Sequence, residues 1–192
     1  RYNKKINTYL FKREGDMTAI VPLTTLKCKG YNISEFPTTQ LPHASMKLIK
    51  INKKNIILVI DFLKTKEEKY DCVILCDIPS LLHLLEVDVI GLYGIIENGN
   101  LISLYVLRDS GTFYDNKKAV EIISSLSSCH HKHIFKIGFY NAIHDYCNLI
   151  NATKVIIDEI GENYQIMSDK YFFSNNSAFF LYNYACYTIK SN

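Results

Sequence analysis

Asn98-Gly99 stands between two apolar, β-rich runs, Val89–Glu97 and Leu101–Leu107, and it constrains the fold more than any other feature of the chain. A two-residue turn between right-twisted strands needs left-handed backbone, which asparagine tolerates and glycine adopts freely. The pair therefore predicts an antiparallel hairpin. After it, Ala119, Val120, Ile122, Ile123 and Leu126 recur at helical spacing and predict an amphipathic helix over Asn116–Ser128. Phe135–Phe139 reads as a strand or the start of a helix. Ala142, Ile143, Tyr146, Cys147 and Ile150 predict a helix over Asn141–Asn151, with Asn151 as its stop. Lys154–Ile160 reads as a strand, Glu162–Asp169 as a short helix and Ala178–Ile189 as a long aromatic strand.

The first part of the chain is more broken. Pro22, Pro37 and Pro42 divide Thr24–Ser45 into loops with short extended pieces. Lys47–Ile51 and Asn55–Phe62 read as two strands around a turn at Asn52-Lys53-Lys54. Pro79–Glu86 reads as a helix, with Asp77 as its N-cap and Pro79 in its first turn. A hairpin followed by helices alternating with strands gives an α/β (α+β) class: a mixed, largely antiparallel sheet flanked by helices.

With 192 residues, 48% of them hydrophobic, the chain can form one domain, residues 1–192, whose core needs neither disulfide nor metal. Twenty-two basic against 19 acidic residues give +3, too mild a charge to indicate nucleic acid as a partner. No apolar run approaches the length that spans a bilayer. Four of the six cysteines, Cys72, Cys76, Cys147 and Cys186, lie in apolar or helix-like stretches. They read as buried free thiols in a reducing, cytoplasmic compartment. The chain opens on Arg1, which reads as a processed product or a piece of a longer protein.

Three clusters carry possible chemistry. Cys129-His130-His131-Lys132-His133 is the most metal-like, but neighbours in an extended loop point apart and no second pair has zinc spacing, so it reads as a polar loop and no metal is expected. His144-Asp145 lies in a predicted helix near Cys147, where a Cys/His/Asp reading would need a base within reach of the thiol, but no nucleophile signature accompanies them and the face reads as structural. Asp158-Glu159, at the end of a strand, could serve as a base or bind an amine, and reads first as a solvated strand end. No glycine-rich phosphate loop is present, nor the Arg/Gln-x-x-Gly-x-Gly/Ala loop of ordinary acetyl-CoA-dependent acetyltransferases.

The second half resembles a known family. Phe179-Phe180-Leu181-Tyr182-Asn183-Tyr184-Ala185-Cys186 is similar to the Tyr-Tyr-Leu-Tyr-Asn-Trp-x-Cys strand of N-myristoyltransferases. Ile102-Ser103-Leu104-Tyr105-Val106-Leu107 is similar to their Leu-Ser-Phe-Tyr-x-Leu-Pro strand, preceded by a like turn at Glu97-Asn98-Gly99. The helix, strand and Glu162-Asn163 of Asn141–Asn163 follow the family's order. The resemblance covers about residues 89–186, and residues 1–88 match poorly. Phe173-Ser174-Asn175 stands where the family has Gly-Asp-Gly, and Leu107 is followed by Arg108 rather than proline.

The resemblance implies a GNAT-like domain, the C-terminal and peptide-binding half of an enzyme that transfers myristate from myristoyl-CoA to an N-terminal glycine. Myristoyl-CoA would be held mainly by an N-terminal half or separate partner chain. The partner substrate would be a peptide or protein beginning with glycine. Ser103, Tyr105, Ser174, Tyr182 and Asn183 fall on the peptide-groove strands and are the implied substrate-binding residues, with no catalytic residue assigned. The alternative is a catalytically inactive GNAT-like binding or scaffold module.

Overall fold

The computed structural model describes residues 9–14, 24–66, 78–128 and 131–182. Its strands are β1 (Tyr9–Glu14), β2 (Thr24–Asn32), β3 (Met46–Lys50), β4 (Ile90–Glu97), β5 (Asn100–Tyr114), β6 (Lys117–Ser127), β7 (Lys154–Asp158) and β8 (Phe173–Tyr182). The helices are α1 (Ile56–Lys64), α2 (Ile78–Glu86) and α3 (Lys132–Ile150), with 3₁₀ turns at Ile33–Glu35 and Asn163–Gln165. The strands form one sheet in the order β1-β8-β2-β7-β6-β5-β4-β3. Among the described residues every strand pairing is antiparallel except β6 with β7, which run parallel and are joined through α3.

The Asn98-Gly99 hairpin forms as read. Both residues have positive φ, 50° and 83°, and Glu97 pairs with Asn100 across the turn. Successive β4 residues face opposite sides of the sheet. On one side Tyr93 and Ile95 join Tyr105, Leu107, Val120, Ile122, Val155 and Ile157 beneath Phe135, Phe139, Ala142 and Tyr146 of α3. On the other, Leu92 and Leu104 pack against Val59 and Phe62 of α1 and Leu85 of α2. The helix α3 lies close to the sheet because Gly138 has no side chain: a Cβ there would sit 2.6 Å from the Tyr105 hydroxyl.

Three readings of single elements change. Asn55–Phe62 is helix α1, not a strand. Asn52 Oδ1 accepts the Lys54 N–H, and Asn55 Oδ1 accepts the Asn52 N–H, so the polar turn leads into a helix rather than a hairpin. Val59 and Phe62, three apart, then share its buried face. Asn116–Ser128 is strand β6, not a helix. Asp115 and Asn116 both take positive φ, 51° and 59°, and turn the chain back onto β5. In this central strand Ala119, Val120 and Ile122 are all buried, on alternating faces. Of the two readings of Phe135–Phe139 the helix start holds: the segment belongs to the single helix α3, which ends at Asn151 as read, in left-handed conformation. The helix read over Glu162–Asp169 shrinks to the 3₁₀ turn at Asn163–Gln165.

The predicted strands at Lys47–Ile51 and Lys154–Ile160 and the helix at Pro79–Glu86 appear with shifted ends, and β8 starts earlier than read, at Phe173. Asp71–Asp77, Cys129, His130 and residues 183–192 lie outside the described residues. No described helix is long and apolar enough to cross a membrane.

Candidate functional site

In open sheets with parallel strands, ligands settle beyond the carboxyl ends of those strands, where chain direction switches. Among the described strands only β6 and β7 are parallel, and they pair from Ala119–Lys154 to Ile122–Ile157 before separating. The chain closes its own gap. Ser125 bridges to Gly161, and the Glu162 N–H donates to the Ser125 carbonyl at 2.8 Å. Asn163, fully buried, accepts from the Ser125 hydroxyl at 2.5 Å and donates its amide to the carbonyls of Asp158 at 2.7 Å and Ile122 at 3.4 Å. The seam between the strands is thus filled by residues 161–163.

Gly161 makes the closure possible. Its φ is +59°, and a Cβ would sit 2.6 Å from the Ser125 carbonyl oxygen. Backbone cannot move aside as a side-chain tip can. Gly161→Ala is therefore expected to cost about 1–3 kcal/mol and to speed exchange of the Glu162 amide. Chemical denaturation with hydrogen exchange checks both effects.

Above the sealed seam lies a groove of about 460 Å³ between the first turns of α3 and the 3₁₀ turn, lined by Lys132, His133, Lys136, Tyr164 and Gln165. Lys132 and Lys136 are one helical turn apart and share a face. None of the described residues that line the groove is a carboxylate. The nearby Glu162 is buried and accepts from Gln165 Nε2 at 2.9 Å. The positive end of the α3 dipole adds to the lysine charge, so the groove is built for an anionic group. Lys132 and His133 belonged to the metal-like cluster of the sequence. In the structure they open a helix, and among the described residues no three His, Cys, Asp or Glu side chains converge as metal ligands. Lys136 had no sequence signal beyond its i+4 spacing from Lys132.

The residues implied by the resemblance fall in two places. Ser103 and Tyr105 are fully buried side by side on β5, under α3. Ser103 Oγ lies 3.2 Å from Ser127 Oγ, and the Tyr105 hydroxyl donates to the Phe135 carbonyl at 2.8 Å. Tyr105 thus supports the helix turn that carries the groove lysines, Ser103 ties β5 to β6, and neither lines the groove. Ser174 is exposed on β8, opposite Lys29 of β2, and Tyr182 pairs with Tyr9 at the far end of β8. Three strands, β2, β7 and β6, separate β8 from β5, about 19 Å at ordinary strand spacing. Asn183 lies outside the described residues.

The other clusters are structural. His144 Nε2 lies 2.6 Å from the Phe36 carbonyl, clamping the loop after β2 to α3. The Cys147 thiol is buried and burial pushes its pKa up to about 12. Since only thiolate is nucleophilic, native Cys147 should resist iodoacetamide at pH 8 and react once the protein is unfolded, as peptide mass spectrometry will read out. Asp158 is fully buried, so the solvated-end reading fails there, whereas Glu159 is exposed.

No family model and no curated protein sequence matches the chain. Solved structures do. N-myristoyltransferase of Saccharomyces cerevisiae, solved with bound myristoyl-CoA, aligns over 93% of this chain and 52% of its own, with TM-score 0.67 and 11% identity. A GCN5-related N-acetyltransferase from Kribbella flavida aligns over 83% and 58%, with TM-score 0.51 and 10% identity. The GCN5-related glucosamine N-acetyltransferase region of a fungal β-N-acetylglucosaminidase aligns over 88% of this chain and 21% of its own, with TM-score 0.52 and 12% identity.

The fold is GNAT-like. The expected class of mixed, largely antiparallel sheet with flanking helices holds. At these identities the likeness is one of fold, and the chain spans about half the length of the yeast enzyme it matches.

Proposed function

We propose that this chain is the peptide-side half of an N-myristoyltransferase-like acyltransferase. The observation that carries the reading is the match of nearly the whole chain, 93%, to 52% of a myristoyl-transferring enzyme, at a higher TM-score than the two N-acetyltransferases reach. The sealed β6–β7 seam supports it. Residues 161–163 occupy that gap, and in this reading the long acyl-CoA donor is held by another half or chain.

The reaction is attack of the glycine α-amine on the thioester carbonyl carbon. The amine first gives up its proton, the C–N bond forms as the C–S bond breaks, and CoA leaves as the thiol. In this proposal the chain's own residues bind and orient. The groove of Lys132, His133 and Lys136 takes an acidic part of the acceptor peptide. Tyr105 holds the helix turn that presents those side chains, and Ser103 braces β5 against β6 beside it. Ser174, Tyr182 and Asn183 contact the rest of the peptide, and an extended peptide of about six residues spans the distance between β5 and β8. Tyr182→Ala should weaken binding of a glycine-start peptide about tenfold. Unchanged affinity in a folded variant overturns the β8 assignment.

A second reading is a GNAT-shaped binding module without catalysis, and what favours it is that residues 161–163 occupy the gap between the parallel strands. Labelled myristoyl transfer by the natural polypeptide that contains this chain separates the two.

A further inference from the structure

Five of the eight large hydrophobic side chains exposed among the described residues gather at one end of the sheet: Ile57, Val87, Val89, Phe113 and Leu149, each 41–65% exposed. This is the end where β4, β6 and β7 begin and α3 finishes, opposite the groove. Single exposed apolar side chains are ordinary on a protein surface, but a gathering of them marks a contact. They stand on four neighbouring segments. Ile57 lies in the first turn of α1, Val87 and Val89 precede β4, Phe113 is on the β5–β6 hairpin, and Leu149 is in the last turn of α3. The buried Tyr146 of α3 fastens three of these segments together. Its hydroxyl lies 2.9 Å and 3.0 Å from the Asp88 and Val89 carbonyl oxygens and accepts the Asp109 N–H at 3.1 Å. Lys50, which ends β3, reaches Asp88 at 3.1 Å and ties in the turn before α1. The apolar side chains are therefore held on a firm frame.

The charges among them are uneven. Three lysines are neutralised: Lys50 by Asp88, Lys118 by Asp109 at 2.6 Å and Lys154 by Asp115 at 3.7 Å. Lys53 and Lys54, on the turn before α1, and Lys117, at the start of β6, are exposed and have no carboxylate partner among the described residues. Of the described carboxylates on these turns, Glu86 alone remains against the three. Paired charges count little at a distance, so the corner presents three free cations to one anion.

We propose that this end of the molecule docks on an anionic bilayer surface, with the five apolar side chains entering the interface and Lys53, Lys54 and Lys117 meeting the headgroups. The apolar side chains stand on separate turns with lysines between them. A bilayer closes around separate side chains, and lysine stems lie along its apolar boundary with the ammonium in water. The centre of a protein interface is instead a continuous apolar patch depleted of charge. The surface is independent of the acyl-transfer reading.

The chain contains no tryptophan, so Phe113→Trp gives a single fluorescent reporter at the centre of the surface. The test titrates the full chain carrying it with vesicles of phosphatidylcholine alone and of phosphatidylcholine with phosphatidylserine. Its emission should shift to the blue with the anionic vesicles only, and the shift should shrink as salt rises. Lys53→Gln combined with Lys54→Gln should lower the partition coefficient at least about tenfold, and Ile57→Ser about threefold or more. Tyr164→Trp, in the groove at the opposite end, should show no shift. Co-sedimentation of the unaltered chain with the same vesicles repeats the comparison without any substitution. No response to anionic vesicles, equal shifts at Phe113→Trp and Tyr164→Trp, or variants that partition like the parent overturn the proposal. A blue shift that grows with protein concentration in the absence of vesicles also overturns it, in favour of a second copy of this chain on the same surface.

Discussion

Asn163→Ala is expected to destabilise the protein by about 3–5 kcal/mol, because one side chain satisfies three buried groups and each left unpaired costs about 1–3 kcal/mol. The Ser125 hydroxyl loses its acceptor, and the carbonyls of Asp158 and Ile122 lose a donor. The loss falls where β6 and β7 separate, so exchange should rise first at Gly161–Asn163. Asn163→Asp sharpens the test. The new carboxylate keeps the shape but turns toward two carbonyl oxygens, so its native pKa rises above the unfolded value of about 3.9. A raised acid contributes stability below the unfolded pKa and loses it as pH rises through the native one. The variant should therefore be more stable near pH 4 than at pH 7, relative to the parent. Urea midpoints across that range measure it, and a pH-independent difference contradicts the hydrogen-bond assignment.

Phe139→Ala should cost about 3–5 kcal/mol and lower the melting temperature by about 10 °C. Phe139 is fully buried, and its ring centre lies 5.8 Å from that of Tyr105 and 6.2 Å from that of Phe36. It therefore joins three parts: helix α3, strand β5 and the loop after β2. The truncation leaves a cavity that none of the three can fill alone. Phe113→Ala, at a ring 65% exposed on the β5–β6 hairpin, should change stability by less than about 0.5 kcal/mol. Similar losses in the two variants contradict this packing. Because α3 carries Lys132 and Lys136, loosening it should also weaken anion binding in the groove.

What could be read in the sequence was what local chemistry decides. Asn98-Gly99 specifies its turn whatever surrounds it, and Asn151 ends α3 through its own left-handed backbone. The misread elements depended on neighbours far away in the chain. Ala119, Val120, Ile122, Ile123 and Leu126 fit a helix face, but they also fit a strand buried on both sides, and pairing with β5 and β7 chose the strand. The Asp115-Asn116 turn was the local signal for it. Asn55–Phe62, rich in β-branched residues, folds as a helix because Val59 and Phe62 find Leu92 and Leu104 beneath them.

The groove was harder to read than the fold. Lys132 and His133 stood out for a metal chemistry that a helix start does not provide, and Tyr164 and Gln165 meet them only because residues 161–163 fold back over β6. Ser103 and Tyr105 stood out as groove residues, and their neighbours place both beneath α3.

The most direct test of acyl transfer uses the natural polypeptide that contains this chain, labelled myristoyl-CoA and two peptides, one with a free N-terminal glycine and one N-acetylated. Label should appear in amide linkage on the first peptide alone. A folded polypeptide that binds the glycine peptide yet leaves it unlabelled would contradict the transferase reading and leave the binding module in its place.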